Sequence, residues 1–392
     1  MKYRGEEIVH ARASDVTKGI VYDRPYTQQQ KNIREPTLPT ITNYNEILLK
    51  LLAHENIASR MPIFENYDKQ VQGRTIVEAG DADAGVLQPF NEEKYPEEIR
   101  NTGIALSLDQ CPRYNKIDPY WGAVNAVVES VRNITAVGAS PQAVTDCLCF
   151  GNPEKPEQMW DFTESVRGIA DACQAIGLKE FPGASLPVIS GNVSFYNESK
   201  SGAIPASPMI SCLGNMTDVH HVVPKYFQQA NSVIILVGER KNECGGSVYY
   251  QLFNELGANV PKPDLKTIAT EIHAVNAAMQ QKFILSAHDI SDGGLAVAVA
   301  EMSFKNQLGV EINIPGDLAT DKKLFGETGG FILEISNANL TAVQKIFQNQ
   351  QVPIFILGKT SKEPRLKMQN CIDVTVVEAK QHWQNGLREK LL

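Results

Sequence analysis

Two hydrophobic rhythms alternate along this chain, and they predict alternating helices and strands. Asp118–Gly138 carries Ala123, Val124, Val127, Val128, Val131, Ile134 and Val137 in a broad stripe at helical spacing. Asp118 suits its N-cap and Pro119 its first turn. Pro156–Ile176 predicts a second long helix, with Gly177 placed to end it. Asn43–His54 predicts a shorter one around Ile47, Leu48, Leu49, Leu51 and Leu52. Between these lie runs that read as strands: Thr75–Gln88, interrupted by the acidic bend Gly80–Asp83, then Gly103–Leu108, Gln142–Phe150, Pro187–Phe195 and Met209–Met216.

The pattern changes near Val222–Asn231. Ser232–Val237 (SVIILV) is apolar throughout, as a strand covered on both faces would be. Helices are expected at Ser247–Leu256, Thr267–Gln281 and Leu295–Ser303. Strands are expected at Phe283–Ala287, Gly309–Ile314, Gly330–Ile335 and Ile354–Lys359. At 392 residues the chain exceeds the usual size of one core, so two domains are expected, divided near residue 225. Residues 1–36 are polar and irregular, with at most a short strand and turn over Lys2–Val21.

Composition narrows the function classes. A net charge of −8 argues against nucleic-acid binding, which needs a basic face. No apolar run approaches the ~20 residues of a membrane span, and the first residues lack a signal-peptide core. The seven cysteines are odd in number and show no framework spacing, which suits reduced thiols in a cytoplasmic protein. Cys147 and Cys149 share a strand face but lack the further ligands of a metal site.

Two glycine-punctuated segments carry the candidate chemistry. In LPVISGNVSFYN (Leu186–Asn197), read as a buried strand and a tight turn, Gly191 lets a phosphate approach the backbone. Asn192 offers an amide oxygen to a hard cation and Ser194 a hydroxyl. In LSAHDISDGGLAVAVAEM (Leu285–Met302), His288 stands near Asp289 and Asp292. That arrangement fits a dyad or metal group, or a strand-to-helix turn with a capping Ser291 or Asp292. Glu129 and Asn133, four apart on one helix face, could share a cation or form a solvated stripe. Asp146 interrupts an apolar strand and needs a partner if buried. Lys241–Ser247 (KNECGGS) could hold phosphate or start a helix. GETGG (Gly326–Gly330) reads as a turn, and His220-His221 as an exposed pair.

These segments, with YDKQVQG (Tyr67–Gly73), VYDRPY (Val21–Tyr26), DPYWGAV (Asp118–Val124) and AVTDCLCFGNPEKP (Ala143–Pro156), resemble the second half of the phosphoribosylformylglycinamidine synthases over nearly the whole chain. The resemblance implies an α/β (α+β) fold of two AIR synthase-like domains, 37–225 and 226–392, after a linker at 1–36. The first domain would share a barrel-like interface with a similar domain, and the second would be an α/β sandwich. It further implies ATP and Mg2+ as cofactors. Asp146 and Gly191 would contact ATP, Asn192 the metal and Ser194 formylglycinamide ribonucleotide. Glu129 and Asn133 would correspond to a metal-touching pair at an auxiliary nucleotide site of larger members. The catalytic histidines of that family belong to the first half, so none is assigned here. The implied partners are a first-half polypeptide, a glutaminase subunit and a small accessory subunit, or a second copy in a homodimer. Two alternatives stay open. One is another ATP-dependent enzyme of the superfamily, such as an aminoimidazole ribonucleotide synthetase. The other is a non-catalytic half that only holds nucleotide.

Overall fold

A computed structural model of the chain describes residues 1–19 and 22–391, so Val21 of the VYDRPY segment lies outside the described residues. Two sheets organise the fold. The first has six strands in the order Thr75–Val77, Gly85–Leu87, Gly103–Asp109, Ser207–Met216, Ser140–Cys149, Val188–Ser194. The second has seven, with Val233–Val237 paired between Phe331–Ile335 and Ile354–Ser361. Neither closes into a barrel.

The strand patterns explain how each sheet is covered. In Gly103–Asp109, buried Ala105 and Ser107 alternate with exposed Leu106 and Leu108. The inner side packs on the helices Pro119–Ala136 and Pro156–Ile176 through Val127, Val131, Ile169 and Cys173. The outer side is bare. In Val233–Val237 every residue is buried. Val233, Ile235 and Val237 meet the helices Ile268–Gln280 and Leu340–Asn349, while Ile234 and Leu236 meet Gly294–Ser303 on the other side. A strand apolar throughout therefore belongs to a sheet covered on both faces, and an alternating one to a sheet covered on one.

The expected burial of the Leu186–Asn197 strand is corrected. Val188–Ser194 is the edge strand and is exposed along its length, Ile189 at 60%. It has one neighbour, and no helix covers its outer face.

The long helices begin and end as their sequences dictate. The Asp118 side chain accepts from Tyr120 N at 3.0 Å and Trp121 N at 3.1 Å. Pro156–Ile176 stops at Gly177. The expected helix at Ser247–Leu256 shrinks to Val248–Gln251, because Asn254 adopts φ +58°. Several elements escaped the pattern, among them Pro112–Ile117, Thr320–Phe325, Leu340–Asn349, the strands Arg365–Met368 and Ile372–Thr375, and Val376–Leu391. The last buries only Val376, Ala379 and Gly386, too small a stripe to read from sequence.

The chain also crosses between its own halves. Ile47, Leu48, Leu51 and Leu52 of helix Tyr44–Leu52 enter the core of the second sheet. Asp373 N donates to Asn45 Oδ1 at 2.8 Å, and Ser59 N to Trp383 O at 2.9 Å. Glu35 accepts from Ala258 N and Asn259 N at 2.9 and 3.1 Å.

Candidate functional site

The edge strand runs parallel to Ser140–Cys149, setting Asp146 beside Gly191, Cys147 beside Asn192 and Cys149 beside Ser194. Strand alternation then divides the four expected site residues between two faces. Asp146 points inward with Val144 and Leu148. Burial raises its pKa, partly offset by the Asn192 backbone N–H. Its charge, after burial itself, helps push the Cys173 thiol up to about 12. A Cβ on Gly191 would collide with Asp146 Oδ1. Asn192 and Ser194 stand on the open face instead. Asn192 Nδ2 donates to Cys147 Sγ at 3.7 Å, which leaves its amide oxygen free. Asn197 Nδ2 donates to Ser194 Oγ at 3.1 Å and Ser194 O at 2.8 Å, fixing that hydroxyl. Cys147 Sγ and Cys149 Sγ lie 3.8 Å apart on the same face.

A second constellation lies at the junction of the two domains. Asp109 ends its strand pointing inward, where Asn133 Nδ2 donates to its Oδ1 at 2.8 Å. Its Oδ2, and Oδ2 of Asp289, are buried without hydrogen-bond partners. Burial raises both carboxyls to about 7, reinforced by Asp289 in the case of Asp109 and by Asp83 in the case of Asp289. Glu129 is raised well above its ordinary value by burial, then by Asp109 and Asp289. Three carboxylates that resist ionising together, with an amide beside them, make this junction strongly acidic, but their oxygens are not all close enough together to ligate one ion.

His288 faces this group from its own strand. Its Nδ1 lies 2.7 Å from Asp83 Oδ1, close but poorly aligned for a hydrogen bond, and its Nε2 lies 2.9 Å from Glu301 Oε2. Burial alone would lower its pKa, but Asp83 and Glu301 outweigh burial and raise it to about 10. His288 is therefore an imidazolium clamped between two carboxylates. Asp83, which also accepts from Asp289 N at 2.9 Å, ties the acidic bend of the first domain to the second. Asp83, His288 and Asp289 lie close enough together to ligate one ion. A protonated histidine has no lone pair for a metal, so that trio works as a clamp while the proton stays.

Glu327 of GETGG does more than turn the chain. Its Oε1 accepts from Val248 N and Gly293 N, both at 2.8 Å, and its Oε2 from Tyr114 OH at 2.7 Å. It binds the KNECGGS, HDISDGG and GETGG segments together. Ser247 caps the short helix that follows KNECGGS, donated to by Tyr250 N at 3.1 Å. His220 and His221 are exposed near Asp218. The sequence signal missed for Asp109 was available: it continues the inward positions Gly103, Ala105 and Ser107, where an acid is out of place. Asp83 and Glu327 gave no such signal, because each sits in a loop.

Residues 81–216 match the family described as AIR synthase related protein, N-terminal domain, and residues 229–370 its C-terminal domain. The chain is 40% identical over its whole length to phosphoribosylformylglycinamidine synthase subunit PurL of Methanothrix thermoacetophila, covering 51% of that protein. It is 34% identical over 98% of its length to the Nocardia farcinica subunit, covering 50% of it. The chain thus spans about half the length of the curated relatives it matches. Among solved structures, Thermotoga maritima PurL complexed with FGAR shares the fold at TM-score 0.67 and 17% identity, over 87% of this chain and 54% of that one. A PurLQS structure from T. maritima matches at TM-score 0.57 and 17% identity, over 72% of this chain and 45% of that one. With two such domains in tandem and relatives of one name along its full length, the chain belongs to the AIR synthase-related family, as a homologue of the phosphoribosylformylglycinamidine synthase PurL subunit.

Proposed function

We propose that this chain forms the second half of a synthetase that converts formylglycinamide ribonucleotide to formylglycinamidine ribonucleotide with ATP and glutamine-derived ammonia. The observation that carries this reading is the open face of the first sheet. There Asn192 and Ser194 share a face with exposed Leu106 and Leu108, two strands lying between them. A first-half polypeptide of similar fold would cover it and complete the site. A glutaminase subunit and a small accessory subunit would supply ammonia to the assembly, and a homodimer would cover the same face in their absence.

In this reading ATP phosphorylates the amide oxygen of the substrate and ammonia then displaces phosphate. Mg2+ would neutralise the nucleotide's phosphates as they meet the ribonucleotide. Asn192 contributes its free amide oxygen to that cation. Ser194, held by Asn197, orients the ribonucleotide from the same face. Gly191 and Asp146 act from behind them: the carboxylate fills the side-chain space of residue 191 and fixes the strand on which Asn192 stands, while the bare Gly191 backbone faces the nucleotide.

A second reading is favoured by the strongly acidic junction. Glu129 and Asn133 would touch Mg2+ there, with a nucleotide that is bound and not turned over. The two sites are compatible in one molecule.

The test is ammonia-dependent amidine formation with ATP, Mg2+ and formylglycinamide ribonucleotide, using this chain alone and with a first-half polypeptide. Activity in the mixture alone supports a shared site. Activity of the chain alone overturns the division of labour. Nucleotide binding with no activity in either leaves only the second reading standing.

A further inference from the structure

A cavity of ≈ 500 Å3 opens between the GETGG loop and the start of helix Ile268–Gln280. Arg132 lines it from the helix Pro119–Ala136 and is only 4% exposed. Its Nε has no hydrogen-bond partner, and among the described residues it forms no ion pair. Its guanidinium lies flat on Gly329, where any Cβ would collide with it, so the loop is shaped around this side chain. Asp109, Glu129, Asp289 and Glu271 balance its charge from a distance, and an anion in the cavity would give it the direct partner that it lacks.

The rest of the wall suits the same ligand. Lys241, Lys262 and Lys266 stand exposed at the mouth. Four acidic residues line the cavity as well: Asp264 accepts from Lys266 N at 2.9 Å, Glu243 accepts from Thr328 Oγ1 at 3.1 Å, Glu239 is exposed, and Glu271 lies within reach of the Arg132 charge. Glu271 and Thr270 remain on the wall as groups for hydroxyls. The helix above starts at Thr267 with no side-chain cap.

We propose that this cavity binds a small phosphorylated polyol of sugar-phosphate size, its phosphate on Arg132 and the lysines and its hydroxyls on Glu271 and Thr270. The volume lies within the range of small-ligand sites, roughly 300–1,000 Å3. The site is separate from the open face that carries Asn192 and Ser194, and it does not depend on the synthase reading.

Arg132 also eases the carboxylates of Asp109, Glu129 and Asp289 through its charge. The experiment must separate that role from ligand binding. Thermal unfolding of the full chain in low-salt buffer with EDTA would be followed against ribose 5-phosphate, inorganic phosphate and ribose. Ribose 5-phosphate should raise the transition temperature saturably, phosphate should do so more weakly, and ribose should not. The Lys241→Gln/Lys262→Gln pair, remote from the acidic cluster, should keep the unliganded transition and weaken binding about tenfold, the loss of ~1.4 kcal/mol. Arg132→Met should abolish the response. Asn192→Ala/Ser194→Ala should retain it. No saturable shift, a shift unchanged in the lysine pair, or loss of the shift in the Asn192/Ser194 variant would each overturn the proposal.

Discussion

The Asp146 carboxylate occupies the space that a side chain on Gly191 would need. The two residues are register partners on parallel strands. A glycine that sequence reading assigns to phosphate approach thus has a packing reason of its own.

Gly191→Ala should therefore destabilise the chain by at most about 1 kcal/mol, because the strand is exposed and the Asp146 carboxylate can turn aside. In an Asp146→Ala background the same change should cost less than about 0.5 kcal/mol. Urea unfolding of the four proteins forms the cycle, and additive effects would show that the contact carries no energy.

Stability should fall as pH rises between about 5 and 8. Burial raises Asp109 and Asp289 to about 7, above the ordinary 3.8. The folded chain keeps protons there that the unfolded chain has released. Their contribution is complete below about pH 4 and is lost as pH passes the folded value. His288, raised to about 10, acts in the same direction, since its stabilisation too is lost on deprotonation. Under the second reading, millimolar Mg2+ should flatten the slope by favouring the ionised carboxylates, and EDTA should restore it. Denaturant midpoints at both pH values, with and without the ion, decide the matter.

Asn192→Ala should lower activity of the reconstituted synthase about 10–100-fold and raise its Mg2+ requirement, as expected for loss of a metal-orienting group. Ser194→Ala should chiefly raise KM for the ribonucleotide. Neither residue is buried, so circular dichroism should be unchanged. Full activity in both variants would remove the open face from the chemistry.

Leu108→Glu should prevent association through the first sheet and leave the monomer folded. Leu108 is 63% exposed and makes no core. Light scattering of the chain alone, and co-elution with a first-half polypeptide, report the effect.

Glu327→Ala strands Val248 N, Gly293 N and Tyr114 OH together and should cost roughly 3 kcal/mol or more. Glu327→Gln should be much milder at pH 7. Burial, then Asp292, raises this carboxyl to about 8, so the native group is already largely neutral there.

Periodicity made the long helices and most strands legible, because their stripes and caps are local. The apolar run SVIILV also anticipated a buried strand, which lies in the sheet covered on both faces. What was not legible is non-local. Whether Val188–Ser194 is an edge strand depends on which strands flank it. The separation of Asp146 from Asn192 follows from face alternation, and motif matching does not weigh it. Asp83, Asp109, Glu129 and Asp289 come from four distant segments, and no spacing rule joins them. Glu327 hid in a glycine-rich turn whose three donors lie in other parts of the chain.

The packing of helix Tyr44–Leu52 into the second sheet has a consequence for biosynthesis. Ile47, Leu48, Leu51 and Leu52 leave the ribosome more than 300 residues before their neighbours Val376 and Ala379. That apolar helix must wait, uncovered, while more than 300 residues are synthesised. At about 5–20 residues per second the wait is tens of seconds, long on the timescale of collapse and of aggregation. The first domain's helices and strands can assemble during that time, whereas the second core closes only once Val376 and Ala379 have emerged. Truncation near the C-terminus should therefore expose the beginning of the chain as well as its end, and a protease should cut first around residues 44–60.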